Sequence, residues 1–317
     1  MNSIAVVIPN YNGLIYLKDC LEALRQQTNK DFTTIIVDNN SSDGSLEFIR
    51  EHYDEVEIIA LAENTGFCGA VNRGIEATST PYVILLNNDT VVEAEFVAEL
   101  YQAMEREKEA FSGQAKMLQL HQPTLIDAAG NYYNALGWAF AKGKDKSKDL
   151  YNEECQIFAS CAGAAIYRRT VLDEIGLFDE KHFAYLEDID IGYRARIRGY
   201  NNIYIPRAVV FHVGSGTTGS QYNQFKIRYS SRNNIYLIYK NMPTLQIIIN
   251  FPFLLMGFIL KWLFFMRKGM GKEYLAGIKN GISLSCQGEK EKFKWKNLKN
   301  YIKIQVELFV NIFRRLK

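Results

Sequence analysis

Ile4-Ala5-Val6-Val7-Ile8-Pro9-Asn10-Tyr11-Asn12-Gly13 opens the chain with a short apolar run, a proline and a polar turn. Such a run, closed by Pro9, is the pattern of a strand buried on both faces. Leu14, Leu17, Leu21 and Leu24 then return at helical spacing, and Thr34-Ile35-Ile36-Val37 repeats the strand before Asp38 ends it. Asn39-Asn40-Ser41-Ser42-Asp43-Gly44 reads as a turn and helix cap. Residues 56–61 predict a third strand, 68–77 a helix and 82–86 a fourth strand that stops at Asn87-Asn88-Asp89. This alternation predicts an α/β fold: a Rossmann-like mixed, mostly parallel central sheet flanked by helices. In open sheets of this type ligands bind outside the carboxyl ends of the strands. Asn10 to Asn12, Asp38, Asn64 and Asn87 to Asp89 sit at those ends, so four loops converge on one rim.

Further on, 93–106 reads as an exposed helix, 111–118 as a strand, and 122–149 as a variable loop or hairpin. Residues 158–167 read as a strand in which Gly163 permits close approach of another chain or a ligand. Phe183-Ala184-Tyr185-Leu186-Glu187-Asp188-Ile189-Asp190 then gathers three carboxylates among apolar and aromatic side chains. Isolated buried carboxylates are costly or shift their pKa. The cluster is therefore either a helix N-terminus or a site that needs a base and an anchor. The helix should run to about residue 198, followed by a strand over 202–211 that ends at His212.

The 317 residues are 48% apolar and 23% charged, enough for one large domain or two with real cores. A net charge of +2 conceals an asymmetry: residues 267–317 carry thirteen Lys/Arg against four Glu. The basic charge belongs to the tail, and no nucleic-acid partner is expected. Five cysteines without a CxxC pair fit a reducing compartment, and the N-terminus shows no secretory pattern. The catalytic part is expected in the cytoplasm.

Beyond residue 222 a polar helix leads through Pro243 into an apolar run over 245–266, about the roughly 20 residues that cross a bilayer. Asn250, Pro252 and Lys261 interrupt it and Arg267, Lys268 and Lys272 follow it, so surface binding is favoured over a span. Residues 293–317 alternate lysines with Trp295, Leu298, Tyr301, Ile304, Leu308, Phe309 and Ile312, a basic amphipathic helix suited to anionic lipid. Residues 244–317 are thus expected on the inner face of the cell membrane. The alternative is that these helices pack on each other or form a homodimer interface.

The motifs together resemble the family-2 nucleotide-sugar glycosyltransferases of the GT-A fold, above all their bacterial rhamnosyltransferase-like branch. Val7-Ile8-Pro9-Asn10-Tyr11-Asn12, Val37-Asp38-Asn39-Asn40-Ser41-Ser42-Asp43-Gly44, Asn64-Thr65-Gly66-Phe67 with Asn72 and Gly74, Leu85-Leu86-Asn87-Asn88-Asp89, and Leu186-Glu187-Asp188 with Asp190 and Arg194 stand in the family's order, with His212 downstream. The resemblance implies an inverting, metal-dependent transferase. It would move a sugar, by family frequency L-rhamnose from dTDP-rhamnose, from a dTDP- or UDP-sugar to a glycan or polyprenyl-linked acceptor in cell-surface polysaccharide synthesis.

By the same resemblance, Pro9, Tyr11 and Asn12 would form floor and wall for the base. Asp38 would accept the imide N–H of a uracil or thymine, and Asn64, Gly66 and Asn72 would shape the nucleotide loop. Asn88 and Asp89 occupy the place of the Asp-x-Asp motif that grips Mg²⁺ or Mn²⁺ against the diphosphate, with His212 completing the metal site. Only the last position here is Asp, which leaves one charged ligand. Asp188 would be the catalytic base, Glu187 would assist it or bind acceptor hydroxyls, and Asp190 and Arg194 would bind the acceptor. Lying four apart on a helix, Asp190 and Arg194 equally fit a simple ion pair.

The expected division is a catalytic domain over 1–220, with a nucleotide-sugar half at about 1–118 and an acceptor half at about 119–220, followed by a membrane-associating extension over 221–317. Removing the extension would leave a soluble nucleotide-binding protein. Two other functions compete. A sugar nucleotidyltransferase would want a basic, Gly-rich loop after the first strand, which Asn10-Tyr11-Asn12-Gly13 is not. A catalytically silent nucleotide-sugar or glycan-binding subunit draws support from the reduced metal motif and is opposed by Glu187-Asp188 and His212.

Overall fold

The computed structural model describes residues 2–214 and 223–316, so the loop after Gly214 and the expected boundary at 220 lie outside the described residues. In chain order the first half runs β1 (Ile4–Asn10), α1 (Leu14–Arg25), β2 (Phe32–Asp38), α2 (Ser45–His52), β3 (Glu57–Ala60), α3 (Gly66–Glu76), β4 (Tyr82–Leu86), β5 (Thr90–Val92), α4 (Phe96–Arg106) and β6 (Ala110–Gln119). The strands β3-β2-β1-β4 are parallel neighbours, as the alternation predicts. Both faces of β1 are covered: Ile4, Val6 and Ile8 join one core with α1 and α4, while Ala5 and Val7 join a second with α3. Gly74 is required there, because a Cβ would stand 2.2 Å from Val7 Cγ1. The helix α4 is not exposed: Phe96, Val97, Leu100, Ala103 and Met104 close the first core.

The second half contributes β7 (Gln122–Ala128), β8 (Asn131–Tyr133), β9 (Ala139–Ala141), β10 (Cys155–Ile157), β11 (Ala164–Arg168), α5 (Arg169–Ile175), α6 (Glu187–Arg198) and β12 (Asn201–His212). The large sheet has the order β10-β12-β6-β11-β4-β1-β2-β3, with β11 antiparallel to both β4 and β6 and β12 parallel to β6. The stretch expected as one strand over 158–167 is divided. Its middle crosses from edge strand β10 to the interior strand β11, and Gly163 lies at the crossing, where its carbonyl accepts from Asn87 N at 2.9 Å. Residues 122–149 are a hairpin of β7 against β6 followed by the small β8-β9 ribbon.

The extension forms α7 (Gln224–Asn241), α8 (Thr244–Arg267), α9 (Gly271–Gln287) and α10 (Leu298–Leu316). These helices do not stand apart from the domain. Leu237, Met242, Leu254, Tyr301, Ile304 and Leu308 share a third core with Tyr133, Phe158, Ile189, Tyr193 and Tyr204. Polar ties add to it: Asn311 Nδ2 donates to the Tyr133 carbonyl at 2.8 Å, Tyr193 OH to Gln246 Oε1 at 2.8 Å, and Asn250 and Gln305 exchange two amide hydrogen bonds. The lipid-binding face expected on 293–317 is therefore half spent on protein, since Tyr301, Ile304 and Leu308 are buried. Leu298, Ile302, Val306, Val310 and Phe313 form a second, exposed stripe on the same helix.

Candidate active site

A cleft of about 1020 Å³ opens at the carboxyl ends of β1 and β4, where the strand order reverses. Pro9, Tyr11, Asn64, Gly66, Asn88, Asp89, Glu187 and His212 line it, together with Phe183 to Tyr185 and the start of α7. Eight of the residues singled out in the sequence thus meet in one depression. The others take different positions.

Asp38 is fully buried behind the cleft, where its carboxylate accepts from Asn10 Nδ2 at 2.8 Å and from Ser41 N at 2.9 Å. Asn88 Nδ2 donates to Asn10 Oδ1 at 2.7 Å, so a chain of polar contacts ties the ends of β2, β1 and β4 together. Gly13 allows it, since a Cβ would meet Asn88 Nδ2 at 1.9 Å. Asn12, at φ 51°, shapes the adjoining turn: its Oδ1 accepts from Ser42 N at 2.8 Å. Asn72 does not reach the cleft. Its amide bridges α3 to the Phe178 backbone, donating to the Phe178 carbonyl at 2.8 Å and accepting from its N–H at 3.1 Å. The side chain is committed to packing rather than to a nucleotide.

The turn over Asn64 to Gly66 is held by Asn39, a residue the sequence reading left unassigned. Asn39 Nδ2 donates to Asn64 Oδ1 and to the Gly66 carbonyl, both at 3.0 Å, while its Oδ1 accepts from Thr65 N at 2.8 Å. Gly66 has φ 75°, and a Cβ would lie 2.5 Å from the Phe183 ring. Its glycine serves both the turn and the contact with the carboxylate loop.

Asp89 does not cap a helix, because β5 follows it at once. Its Oδ1 stands 3.3 Å from His212 Nε2, and His212 Nδ1 stands 2.8 Å from Asp127 Oδ2. Asp127 also pairs with Lys144 Nζ at 2.8 Å. Burial disfavours the imidazolium, yet the Asp127 and Asp89 carboxylates raise the His212 pKa to about 9. Asp127 fixes the ring so that the other nitrogen faces Asp89, which is the outer-shell arrangement that orients a histidine toward a metal. Among the described residues no three His, Cys, Asp or Glu side chains gather as a ready metal site. Asp89 and His212 would give a divalent cation two ligands at the cleft wall, the cation displacing the proton that the carboxylates hold on His212 and taking its remaining ligands from substrate and water. Asp127 was invisible in the sequence as a lone acid within the hairpin.

The carboxylate loop is strained. Phe183, Tyr185 and Leu186 all have positive φ, at 62°, 73° and 67°, a conformation that costs about 1–3 kcal/mol per residue. The neighbouring α7 holds it in place. Asn233 Nδ2 donates to the carbonyls of His182, Ala184 and Tyr185 at 2.7–2.8 Å, and Arg232 Nη2 donates to those of Lys181 and His182 at 2.8 Å. The loop delivers Glu187 and Asp188 to the first turn of α6. Glu187 faces the cleft, with Oε2 buried and unpartnered among the described residues. Asp188 sits beside it, accepting from Ile189 N at 2.7 Å and from Asn131 Nδ2. Desolvation raises both carboxyl pKa values, and the Asp188 charge pushes Glu187 up further.

Asp190 and Arg194 point the other way. Both are buried, and Asp190 meets Arg194 Nε at 3.0 Å, Lys240 Nζ at 3.0 Å and Asn241 Nδ2 at 2.8 Å. Arg194 spends its other donors on the carbonyls of Ile175, Gly176 and Leu177. The acceptor-binding expectation for this pair gives way to a structural one, a buried ionic link between α6 and α7.

Comparison with known proteins agrees with this architecture. The chain is 26% identical over 241 residues to the N-acetylglucosaminyl-diphospho-decaprenol L-rhamnosyltransferase of Mycobacterium tuberculosis, covering 68% of this chain and 77% of that protein. It is 25% identical over 228 residues to the O-antigen chain rhamnosyltransferase WbaN of Salmonella anatum, covering 71% and 70%. Among solved structures, GalNAc-T7 with UDP, GalNAc and Mn²⁺ superposes with a TM-score of 0.61 at 16% identity, over 75% of this chain and 48% of that one. Residues 1–349 of S. aureus TarS superpose with a TM-score of 0.52 at 15% identity, over 99% of this chain and 85% of that one. These likenesses show the GT-A fold expected from the sequence. A family model for glycosyl transferase family 2 matches residues 5–176, more than half of the chain and most of the strands around the cleft, and the chain belongs to that family.

Proposed function

We propose that this glycosyltransferase works with inversion, moving L-rhamnose from dTDP-rhamnose onto a hydroxyl of a glycan or polyprenyl-linked acceptor during bacterial cell-surface polysaccharide synthesis. The names of the two rhamnosyltransferase relatives support the sugar and the acceptor class. The observation that carries the reading is the shared cleft: a nucleotide-sized rim from β1, β4 and the Asn64 turn faces Glu187, and Asp188 lies next to it in the same desolvated turn. Residues 1–118 would supply the donor side, and the described residues of the following half, 119–214, the acceptor side.

In this reading Pro9 and Tyr11 contact the base, and Asp38 acts through Asn10 to fix the floor. Asn64, Gly66 and Asn88 border the sugar diphosphate. A Mg²⁺ or Mn²⁺ ion held by Asp89 and His212 would supply positive charge to the diphosphate leaving group. Desolvation raises both adjacent carboxyls and the Asp188 charge adds to the rise at Glu187, so the two hold a proton as a pair more readily than a free carboxyl would. In its ionised form Asp188 accepts the acceptor hydroxyl proton as that oxygen attacks the anomeric carbon, on the face opposite the diphosphate. Asn131 holds it for that task. A second reading makes Glu187 the base, favoured by its position on the cleft wall and its unpartnered Oε2.

Paired variants separate the two. Asp188→Asn is expected to lower transfer by about 10²–10⁴ with dTDP-rhamnose binding, measured by calorimetry, nearly unchanged, while Glu187→Gln loses less. The reverse ranking assigns the base to Glu187. Undiminished transfer in excess EDTA would remove the metal.

The acceptor's location is read from the extension. Helix α8 is long and apolar enough to cross a membrane, with mean hydropathy 2.0 over its best window. Its Gln246, Asn250, Leu254 and Gly257 seam is fastened to the domain: a Cβ on Gly257 would meet the Leu136 carbonyl at 2.0 Å. Leu245, Ile248, Phe251, Leu255, Ile259 and Leu263 face outward. A helix pinned along one side and apolar on the rest suits a peripheral position on the cytoplasmic face of the membrane.

A further inference from the structure

A second cavity of about 480 Å³ lies away from the active-site cleft, between the end of α6, the end of α7 and the segment that joins α9 to α10. Seven basic side chains line it against three acidic ones. Most of the acids are already neutralised: Asp179 is held by Lys240 at 2.7 Å, and Glu291 by Arg198 at 3.0 Å. Lys181, Lys292 and Lys294 make no ion pair among the described residues, and burial lowers the pKa of Lys290. Arg198 Nη1 is buried and has no hydrogen-bond partner among the described residues. An unpaired buried guanidinium N–H is costly and calls for an acceptor.

The mouth of the cavity is a built feature. Glu291 N donates to the Lys240 carbonyl at 2.8 Å, and Gly288 lies so close to Tyr236 that a Cβ would meet its ring at 2.2 Å. Beyond the mouth Phe293 and Trp295 are 40% and 79% exposed and lie edge to face at 5.2 Å. Lysines and exposed aromatic rings in alternation are the signature of the lipid headgroup zone, where the ammonium groups meet phosphates and the indole sits at the interface. From Trp295 the exposed stripe Leu298, Ile302, Val306, Val310 and Phe313 continues along α10.

We propose that this cavity binds the phosphate headgroup of an anionic phospholipid, with Arg198, Lys290, Lys292 and Lys294 as donors. It thereby fixes how the enzyme sits on the bilayer. The inference rests on the membrane-facing reading above, and names the lipid chemistry and the residues that read it.

The full-length protein tests it in two arms. In the first, thermal unfolding is followed with dihexanoyl phosphatidylglycerol below its micelle concentration, with the matching phosphatidylcholine, and with inorganic phosphate. The anionic lipid alone should raise the melting temperature, and K290Q/K292Q/K294Q should abolish that rise while keeping the transferase activity on a soluble acceptor. In the second, flotation with vesicles of phosphatidylglycerol and phosphatidylcholine should show binding weakened about tenfold in that variant. K272Q/K279Q/K303Q, which removes equal charge elsewhere, should weaken it much less. Equal losses in the two triple variants would overturn the site in favour of diffuse charge, and inorganic phosphate stabilising as well as the lipid would overturn the lipid assignment. Failure of wild-type protein to bind any vesicle would remove the membrane reading, while the short-chain lipid still decides the cavity.

Discussion

Asp188 is useful as a base only when ionised, and its surroundings set the pH at which that holds. Desolvation raises its carboxyl pKa, outweighing the hydrogen bonds from Ile189 N and Asn131. For a raised carboxyl the active form is lost as pH falls through that raised value, so the acid limb of kcat/KM should lie above the ordinary aspartate value of about 3.9. A limb at or below that value in a pH–rate profile would mean that another group titrates. Asn131→Ala, which removes a hydrogen bond to the charged form, should move the limb higher still. Neither Asn131 nor Asp127 was legible in the sequence. Each is a single polar residue in or beside a short strand, and each acquires its role from a partner more than 50 residues away. Glu187, Asp188, Asp89 and His212 were legible because they stand at the ends of elements, in a family order. Asp190 and Arg194 were equally visible but ambiguous, since helical spacing alone does not say which way a pair faces.

At the scale of elements, α7 holds the carboxylate loop in place, although the polar sequence of that helix gave no such sign. Asn233 satisfies three carbonyls of a loop whose backbone is held in sparsely populated conformations. Asn233→Ala should let the loop relax. Turnover is expected to fall by about 10²-fold, with nucleotide binding within a factor of about three of wild type, because the Asn64 turn keeps its own clamp from Asn39. A fall in nucleotide affinity as large as the fall in turnover would point to general unfolding instead. Lys240 acts on the same joint. Replacing it with Met leaves Asp179 and Asp190 short of a buried partner, which should cost about 3–5 kcal/mol in urea unfolding at neutral pH. Burial alone would raise the Asp190 pKa, but Lys240 and Arg194 hold it far below the usual range. Its stabilising contribution is therefore complete above the unfolded value of about 3.9 and fades as pH falls below that. The difference between wild type and Lys240→Met should shrink in acid accordingly.

For the whole molecule, the first four strands and the helices between them followed from apolar runs and helical spacing, because β1, β2 and β4 are largely buried, whereas the short β5 over Thr90–Val92 carried no such signal. The relation of the tail to the domain did not follow, because an amphipathic helix looks the same whether its apolar face meets lipid or protein. Here α10 carries two apolar faces: Tyr301, Ile304 and Leu308 enter the third core while Ile302, Val306 and Phe313 remain outside. The two faces make opposite predictions. Leu308 is fully buried, and its backbone carbonyl accepts from Ala135 N at 3.0 Å. Leu308→Ala should therefore destabilise the full-length protein by about 2–5 kcal/mol, with no direct effect on vesicle binding. Ile302→Ser with Val306→Ser should leave the urea midpoint nearly unchanged and weaken vesicle binding. Truncation after Asn241 removes α8 to α10 and uncovers Tyr193, Leu237 and Tyr133 together, so the product is expected to aggregate rather than persist as a soluble nucleotide-binding domain. A soluble, monomeric fragment with wild-type dTDP affinity would show that the first 241 residues hold their core without the tail, and would leave α10 with the membrane as its main partner.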